Sequence, residues 1–315
     1  MENLLEIKNL NLFFGENQAL YDVNLHLQKG MLHALVGESG CGKTMTAMSV
    51  MGLLPKSAQI KSGEIYFNGE NLLSYKESQM RELRGNKIAL IPQDPMTSLN
   101  PLYTVGNQLI ESIRAHRKVS HHQAMRKARE VMDLVKIPDA NNKLAFYPHE
   151  FSGGMKQRII IAMALASNAE LIIADEPTTA LDVTIQKQIM DLINEIKNEF
   201  KTTILLISHD LALVSNYADC ISVMYSGHIV EEAPAKDFFK HPMHPYSIAL
   251  INSLPTTNPA LKLKTIEGAP PAIQEKINGC KFHPRCDFCN SEICTSQNPI
   301  LKEKTEGHYS ACLIR

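Results

Sequence analysis

Apolar and polar positions partly alternate over residues 5–13 (LEIKNLNLF), the pattern of a strand with one buried face. A short apolar run at 31–37 (MLHALVG) stops at a glycine-rich loop, and a helix is predicted from Lys43. EIYFNGE at 64–70 predicts a further strand with a tight turn at Asn68–Gly69, and KIALIPQ at 87–93 predicts a strand ending in Gln93. From about 95 to 167 the chain reads as helical and polar, with a charged amphipathic stretch at 120–136. Two apolar strands follow, LIIAD (171–175) and TTILLIS (202–208). Between them Ile185, Ile189, Leu192, Ile193 and Ile196 recur at helical spacing, so their stripe should lie on a sheet. Alternating strand and helix predicts an α/β domain with a mainly parallel sheet, interrupted by a helical insert. After about residue 235 proline, histidine and cysteine become prominent, which predicts a domain of 1–235 and an appended one of 236–315.

Charge and composition narrow the partners. A formal net charge of −1 and a pI near 6.9 provide no positive field to gather nucleic acid or anionic lipid. The opening MENLLEIKNL is polar and acidic, so no signal peptide is expected. No stretch approaches the roughly 20 apolar residues that span a bilayer. Any membrane association is therefore expected to go through partner proteins.

The chemistry concentrates in three segments. GESGCGKT (Gly37–Thr44) fits a phosphate-binding P-loop after a strand and before a helix. Glycines let backbone N–H groups turn toward phosphate oxygens, and a helix N-terminus adds positive potential. Gly37, Ser39, Gly40, Cys41 and Gly42 would line the phosphates, Lys43 would reach the β- and γ-phosphates of ATP, and Thr44 would coordinate Mg²⁺. Asp175 ends an apolar strand, where a carboxylate is costly unless it holds a cation. Acting on Mg²⁺ through water accounts for it. Glu176 follows directly, placed to deprotonate an attacking water. The thiol of Cys41 faces two readings: activation by Lys43 and the helix dipole, or a position that contributes only backbone, which is preferred for catalysis. Faster alkylation of Cys41 without nucleotide is expected.

With these motifs and FSGGMKQR (Phe151–Arg158) in hand, the chain resembles the ATP-binding-cassette (ABC) ATPases from residue 1 to about 235. The resemblance implies a P-loop ABC fold with a helical subdomain. It implies that Phe14, or alternatively Phe13, stacks on adenine, that Gln93 senses Mg²⁺ and faces the membrane partner, and that Asp182 belongs to the D-loop. It makes His209 a contact of the γ-phosphate. Ser152, Gly153 and Gly154 match the signature motif, which completes the ATP site of a second cassette. Phe151 and Met155 depart from the commonest form, LSGGQ.

Two further stretches, YPHEFSGGMKQR (147–158) and HPMHPYSIALINSLP (241–255), resemble ATPase subunits of dipeptide and oligopeptide importers, a branch that includes nickel importers. The implied assembly is a paralogous second ATPase, two permease subunits and, indirectly, an extracytoplasmic solute-binding protein, with this chain at the cytoplasmic face of the membrane. Cys280, Cys286, Cys289, Cys294 and Cys312 crowd the last 36 residues. In a reducing cytosol such a cluster predicts a metal site rather than disulfides. The resemblance implies a [4Fe–4S] cluster on Cys280, Cys286, Cys294 and Cys312, with Cys289 an alternative to Cys294. Four thiolates equally suit Zn²⁺. Helix capping and loop hydrogen bonds are the preferred roles for His241, His244, His283 and His308. Soluble ABC ATPases of DNA repair, which carry long coiled coils, or of translation, which carry two cassettes, are the competing class.

Overall fold

The computed structural model describes residues 2–254 and 265–315, so Pro255, the last residue of the HPMHP stretch, lies outside it. The chain divides into two units, Met1–Leu73 with Ile207–Arg315, and Ser74–Leu206.

In the first unit, Asn3–Phe14, Asn17–Gln28, Ala58–Phe67 and the short Glu70–Asn71 form an antiparallel sheet with Asn3–Phe14 between its two long neighbours. Its register aligns buried apolar residues on one face: Leu5 opposite Leu27 and Phe67, Ile7 opposite Leu25 and Ile65. This sheet departs from the mainly parallel expectation. Asn17–Gln28 alternates apolar and polar residues just as its partner does, and the tight Gly15 turn joins them as a hairpin. The expected turn at Asn68–Gly69 is present, both residues holding positive φ (49° and 82°).

A second set of strands carries the glycine-rich loop. Leu32–Val36, buried at every residue, runs parallel to Cys220–Tyr225, which pairs antiparallel with His228–Pro234. His308–Ser310 and Lys302–Thr305 extend this set antiparallel beyond His228–Pro234. The chain's end is thus paired into the sheet that also carries its phosphate-binding strand.

In the second unit, Ile88–Ile91 and Leu171–Asp175 pair in parallel. The Thr203 N–H donates to the Glu170 carbonyl at 3.0 Å, beginning the strand Thr203–Ser208. Both faces of such strands are covered, which explains their unbroken apolar text. The helix Val183–Phe200 buries Ile189, Leu192, Ile193 and Ile196 as the spacing predicts, while Ile185 is only half-buried. The helical region comprises Val105–Ala115 and His121–Leu134, both packed on Gly153–Ala166. That last helix is apolar around most of its circumference, as one surrounded by others must be. Among the described residues no helix is long and apolar enough to cross a membrane.

Candidate functional site

The cradle begins where Leu32–Val36 ends. At Gly37 (φ +155°) a Cβ would stand 2.2 Å from the Met224 carbonyl oxygen, so no side chain fits. Gly42 (φ +112°) holds a left-handed turn in which a Cβ would meet Leu20 Cδ2 at 2.7 Å. The loop is thereby pressed against its neighbours and hands its backbone to the helix Lys43–Met51, whose first turn has no acidic residue to cancel the dipole. Lys43 is buried, and its ammonium donates to the carbonyls of Gly37 (2.8 Å) and Glu38 (3.0 Å). A desolvated cation resting on two carbonyl oxygens can exchange them for phosphate oxygens, so the cradle fits a nucleotide's phosphates.

Cys41 is 3% exposed, and burial pushes its thiol up; Lys43, 3.8 Å away, opposes this only in part. Desolvation thus opposes activation of this thiol and shields it. Phe13 and Phe14 are both half-buried, and Phe13 has the Lys61 ammonium 3.9 Å from its ring centroid. His209 is exposed just after Thr203–Ser208, and Asp210 caps the following short helix by accepting from the Leu213 N–H at 2.9 Å.

Glu38, the loop's second residue, is held from several sides. Its N–H donates to the Tyr246 hydroxyl at 2.9 Å, and its carboxylate is gripped by both terminal nitrogens of Arg285, at 2.8 and 3.0 Å. The Glu38 carboxylate raises the Arg285 guanidinium above its ordinary value. Sequence reasoning missed this ion pair, which joins positions 247 residues apart and has no local signal. Tyr246 is placed by the HPMHP stretch. The His244 ring caps the helix Pro245–Asn252 by accepting from the Tyr246 N–H at 3.1 Å, and burial lowers that ring to about 3. The fully buried Glu231 carboxylate accepts from the N–H groups of Met243 (2.8 Å) and His244 (2.7 Å) and pairs with His308 Nε2 at 2.7 Å. His283 Nδ1 pairs with the Cys280 carbonyl at 2.9 Å, so His244, His283 and His308 have the capping and hydrogen-bonding roles expected for them.

In the second unit, Asp175 is 3% exposed at the end of its strand. Glu176 adopts left-handed backbone (φ +47°), as does Ala180 (φ +64°). The Glu176 carboxylate accepts from Gln93 Nε2 at 3.1 Å and from the Thr179 hydroxyl at 3.0 Å. The structure thus brings Gln93 and Glu176 together, although 83 residues separate them. The Asp182 carboxylate caps Val183–Phe200 by accepting from the Ile185 N–H at 3.0 Å. Ser152 Oγ likewise caps Gly153–Ala166, accepting from the Met155 N–H at 3.4 Å. Its hydroxyl hydrogen can still be donated to an anion. At Gly154 a Cβ would lie 2.8 Å from Ile185 Cγ2, so the signature glycine seats its helix against Val183–Phe200.

The expected [4Fe–4S] or zinc centre is not assembled. Among the described residues no three His, Cys, Asp or Glu side chains converge where a metal could be held. Cys294 is buried and Cys289 exposed. Burial pushes the Cys286 thiol up to about 11 and raises Cys280 as well, favouring protonated thiols over thiolates. As arranged, Cys280, Cys286, Cys289, Cys294 and Cys312 do not fit the group.

Comparison with known proteins defines the class. Residues 20–179 match the ABC transporter family, and residues 230–294 match the oligopeptide/dipeptide transporter C-terminal region. A dimeric ATP-binding cassette in a post-hydrolysis state, bound to ADP and Pi, superposes with a TM-score of 0.66 at 25% identity, over 73% of this chain and 98% of that one. The chain belongs to the ABC transporter family, and its activity is ATP hydrolysis coupled to transport. Within the family it is similar to a probable peptide ABC transporter ATP-binding protein of Sinorhizobium fredii (48% identical, over 98% of this chain and 94% of the relative). It is also similar to the oligopeptide transport ATP-binding protein OppD of Escherichia coli (46%; 98% and 92%) and the dipeptide transport ATP-binding protein DppD of Bacillus subtilis (43%; 100% and 96%). Membrane permease partners follow from the class, and the DNA-repair and translation readings are not favoured.

Proposed function

We propose that this chain is the ATP-hydrolysing subunit of an importer of dipeptides or oligopeptides, bound to the cytoplasmic face of the membrane through two permease subunits. The observation that carries this reading is the succession of an ABC region and an oligopeptide/dipeptide transporter C-terminal region in one chain, matched along nearly its whole length by peptide-transport relatives. On this reading 1–235 is the nucleotide-binding domain, with a helical subdomain at about 95–167, and 236–315 is the importer-type extension. Gly37 and Ser39–Gly42 cradle the phosphates, and Lys43 neutralises them. Thr44, Asp175 and Gln93 would hold Mg²⁺, which offsets phosphate charge when bound. Glu176 takes the proton of the attacking water, and the turn that holds Gln93 against it suits a residue reporting on that event. His209 contacts the γ-phosphate. Phe14 stacks on adenine, a role favoured over Phe13 because Lys61 already covers the Phe13 ring.

Ser152, Gly153 and Gly154, with their helix N-terminus, serve the ATP of a second cassette, and Asp182 positions the segment beside them. The second cassette is a paralogue, and a solute-binding protein delivers peptide from outside. Nickel import, the alternative within the branch, is not favoured by these peptide-transport relatives. The test is uptake by proteoliposomes carrying the permeases, both cassettes and the binding protein, offered labelled peptide or Ni²⁺. Peptide uptake is expected, with the Glu176→Gln subunit retaining ATP but losing nearly all turnover. Uptake of Ni²⁺ alone would overturn the substrate, and wild-type turnover in Glu176→Gln would remove that residue from its role.

A further inference from the structure

Within the GESGCGKT loop, Glu38 is tied by hydrogen bonds to side chains from far along the chain. Its N–H is occupied by the Tyr246 hydroxyl, so that N–H is not offered to a phosphate. Its carbonyl is one of two on which the Lys43 ammonium rests. Its carboxylate is forked by Arg285, whose side chain is 7% exposed against 26% for Glu38. Arg285 is fixed in turn: Nε donates to the Glu267 carbonyl at 2.9 Å, Nη2 to that of Gly268 at 3.2 Å, and Nη1 to the Tyr225 hydroxyl at 3.3 Å. Tyr246 is fully buried, with its ring centroid 4.6 Å from Tyr225 and 5.3 Å from Phe282. The C-terminal portion therefore presents two pre-set groups, a hydroxyl and a guanidinium fork, to one residue of the cradle.

We propose that Arg285 and Tyr246 are positioning residues for ATP, fixing Glu38 so that the loop and the Lys43 ammonium are set for phosphate before nucleotide arrives. The proposal rests on the reading of Gly37–Thr44 as the ATP site. Lys43 must leave the Gly37 and Glu38 carbonyls to meet phosphate, so the placement of Glu38 sets how readily it moves. With the clamp gone, ordering the loop becomes part of each binding event. Fixing one residue's backbone is costly enough to weaken binding roughly tenfold. The same loop grips phosphate in the ground and transition states, so the loss should fall on KM rather than kcat.

The test uses the full chain for Mg-ATP affinity, read with a fluorescent ATP analogue, and the assembled transporter for turnover. Arg285→Met should weaken affinity and raise KM roughly tenfold with kcat within twofold, Arg285→Lys should fall between, and Tyr246→Phe should weaken affinity severalfold while keeping its ring packing. Glu38→Gln combined with Arg285→Met should be no worse than the weaker-binding single variant, because both remove one interaction. Lys43→Ala is the control for the site itself. If Lys43→Ala leaves affinity unchanged, the ATP-site reading fails. If Lys43→Ala weakens it but Arg285→Met and Tyr246→Phe stay within twofold of wild type, or the two single losses multiply in the double variant, the clamp is refuted. A loss of kcat without a change in KM would refute it too.

Discussion

Replacing Glu231 tests whether the sheet secures the HPMHP stretch. The carboxylate is fully buried and engages the Met243 N–H, the His244 N–H and His308 Nε2 at 2.8, 2.7 and 2.7 Å. Glu231→Ala removes the acceptor and leaves two backbone donors and a ring nitrogen without it, in a setting that admits little water. Each stranded buried group costs about 1–3 kcal/mol, so a loss of about 4 kcal/mol is expected. For a protein of this size, that corresponds to a fall in Tm of about 10 °C. Glu231→Gln keeps one carbonyl oxygen but turns an amide NH₂ toward donors, and should lose about half as much. Thermal unfolding of the full chain, followed by tyrosine fluorescence, reads both. A Tm for Glu231→Ala within about 2 °C of wild type would refute the reasoning, because it would mean the donors find water or other acceptors at no cost.

Three more outcomes follow from the geometry. Gly37→Ala should abolish Mg-ATP binding in a chain that still folds, since the added methyl cannot coexist with the Met224 carbonyl; a near-normal Kd would contradict the 2.2 Å approach. Cys41 should react with iodoacetamide far more slowly than exposed Cys289, with or without nucleotide, and equal rates in peptide mass spectra would show that the cradle opens. Burial raises the Glu232 carboxyl to about 7, with Ser222 donating to it at 2.7 Å. A folded value above the unfolded one means the native state holds the extra proton, so stability falls as pH rises from about 4.5 to about 7. Glu232→Gln should remove that slope, and Tm curves for the two proteins that stay parallel from pH 5 to 8 would exclude it.

Much of the fold was legible because single elements announce themselves. LIIAD (171–175) coincides with its strand, the helix starts at Lys43 as expected, and Asn68–Gly69 makes its turn. The strand Asn17–Gln28 leaves a weaker signal, because the irregularity between Leu20 and Val23 breaks the period that Val23, Leu25 and Leu27 then keep with Asp22, Asn24 and His26. Pairing of His308–Ser310 with His228–Pro234 is set by long-range packing that no local pattern carries. The same holds for the candidate site. Phosphate-binding and carboxylate residues stand in short motifs, whereas Arg285 and Tyr246 reach Glu38 only through the folded chain. The cysteine pattern misled for a related reason: spacing cannot reveal how burial and backbone direct each sulfur.

Ala180 carries a consequence that runs against the usual ranking of amino acids. Its left-handed backbone, φ +64°, is a posture a side chain resists, and it stands four positions after the carboxylate of Glu176, which shares that posture. Glycine, which loosens most positions where it is introduced, should tighten this one, while valine or isoleucine should unsettle the whole ADEPTTALD bend. Laboratory evolution toward heat resistance would be expected to find that exchange early, its gain coming from the backbone posture at this exposed position rather than from any new contact.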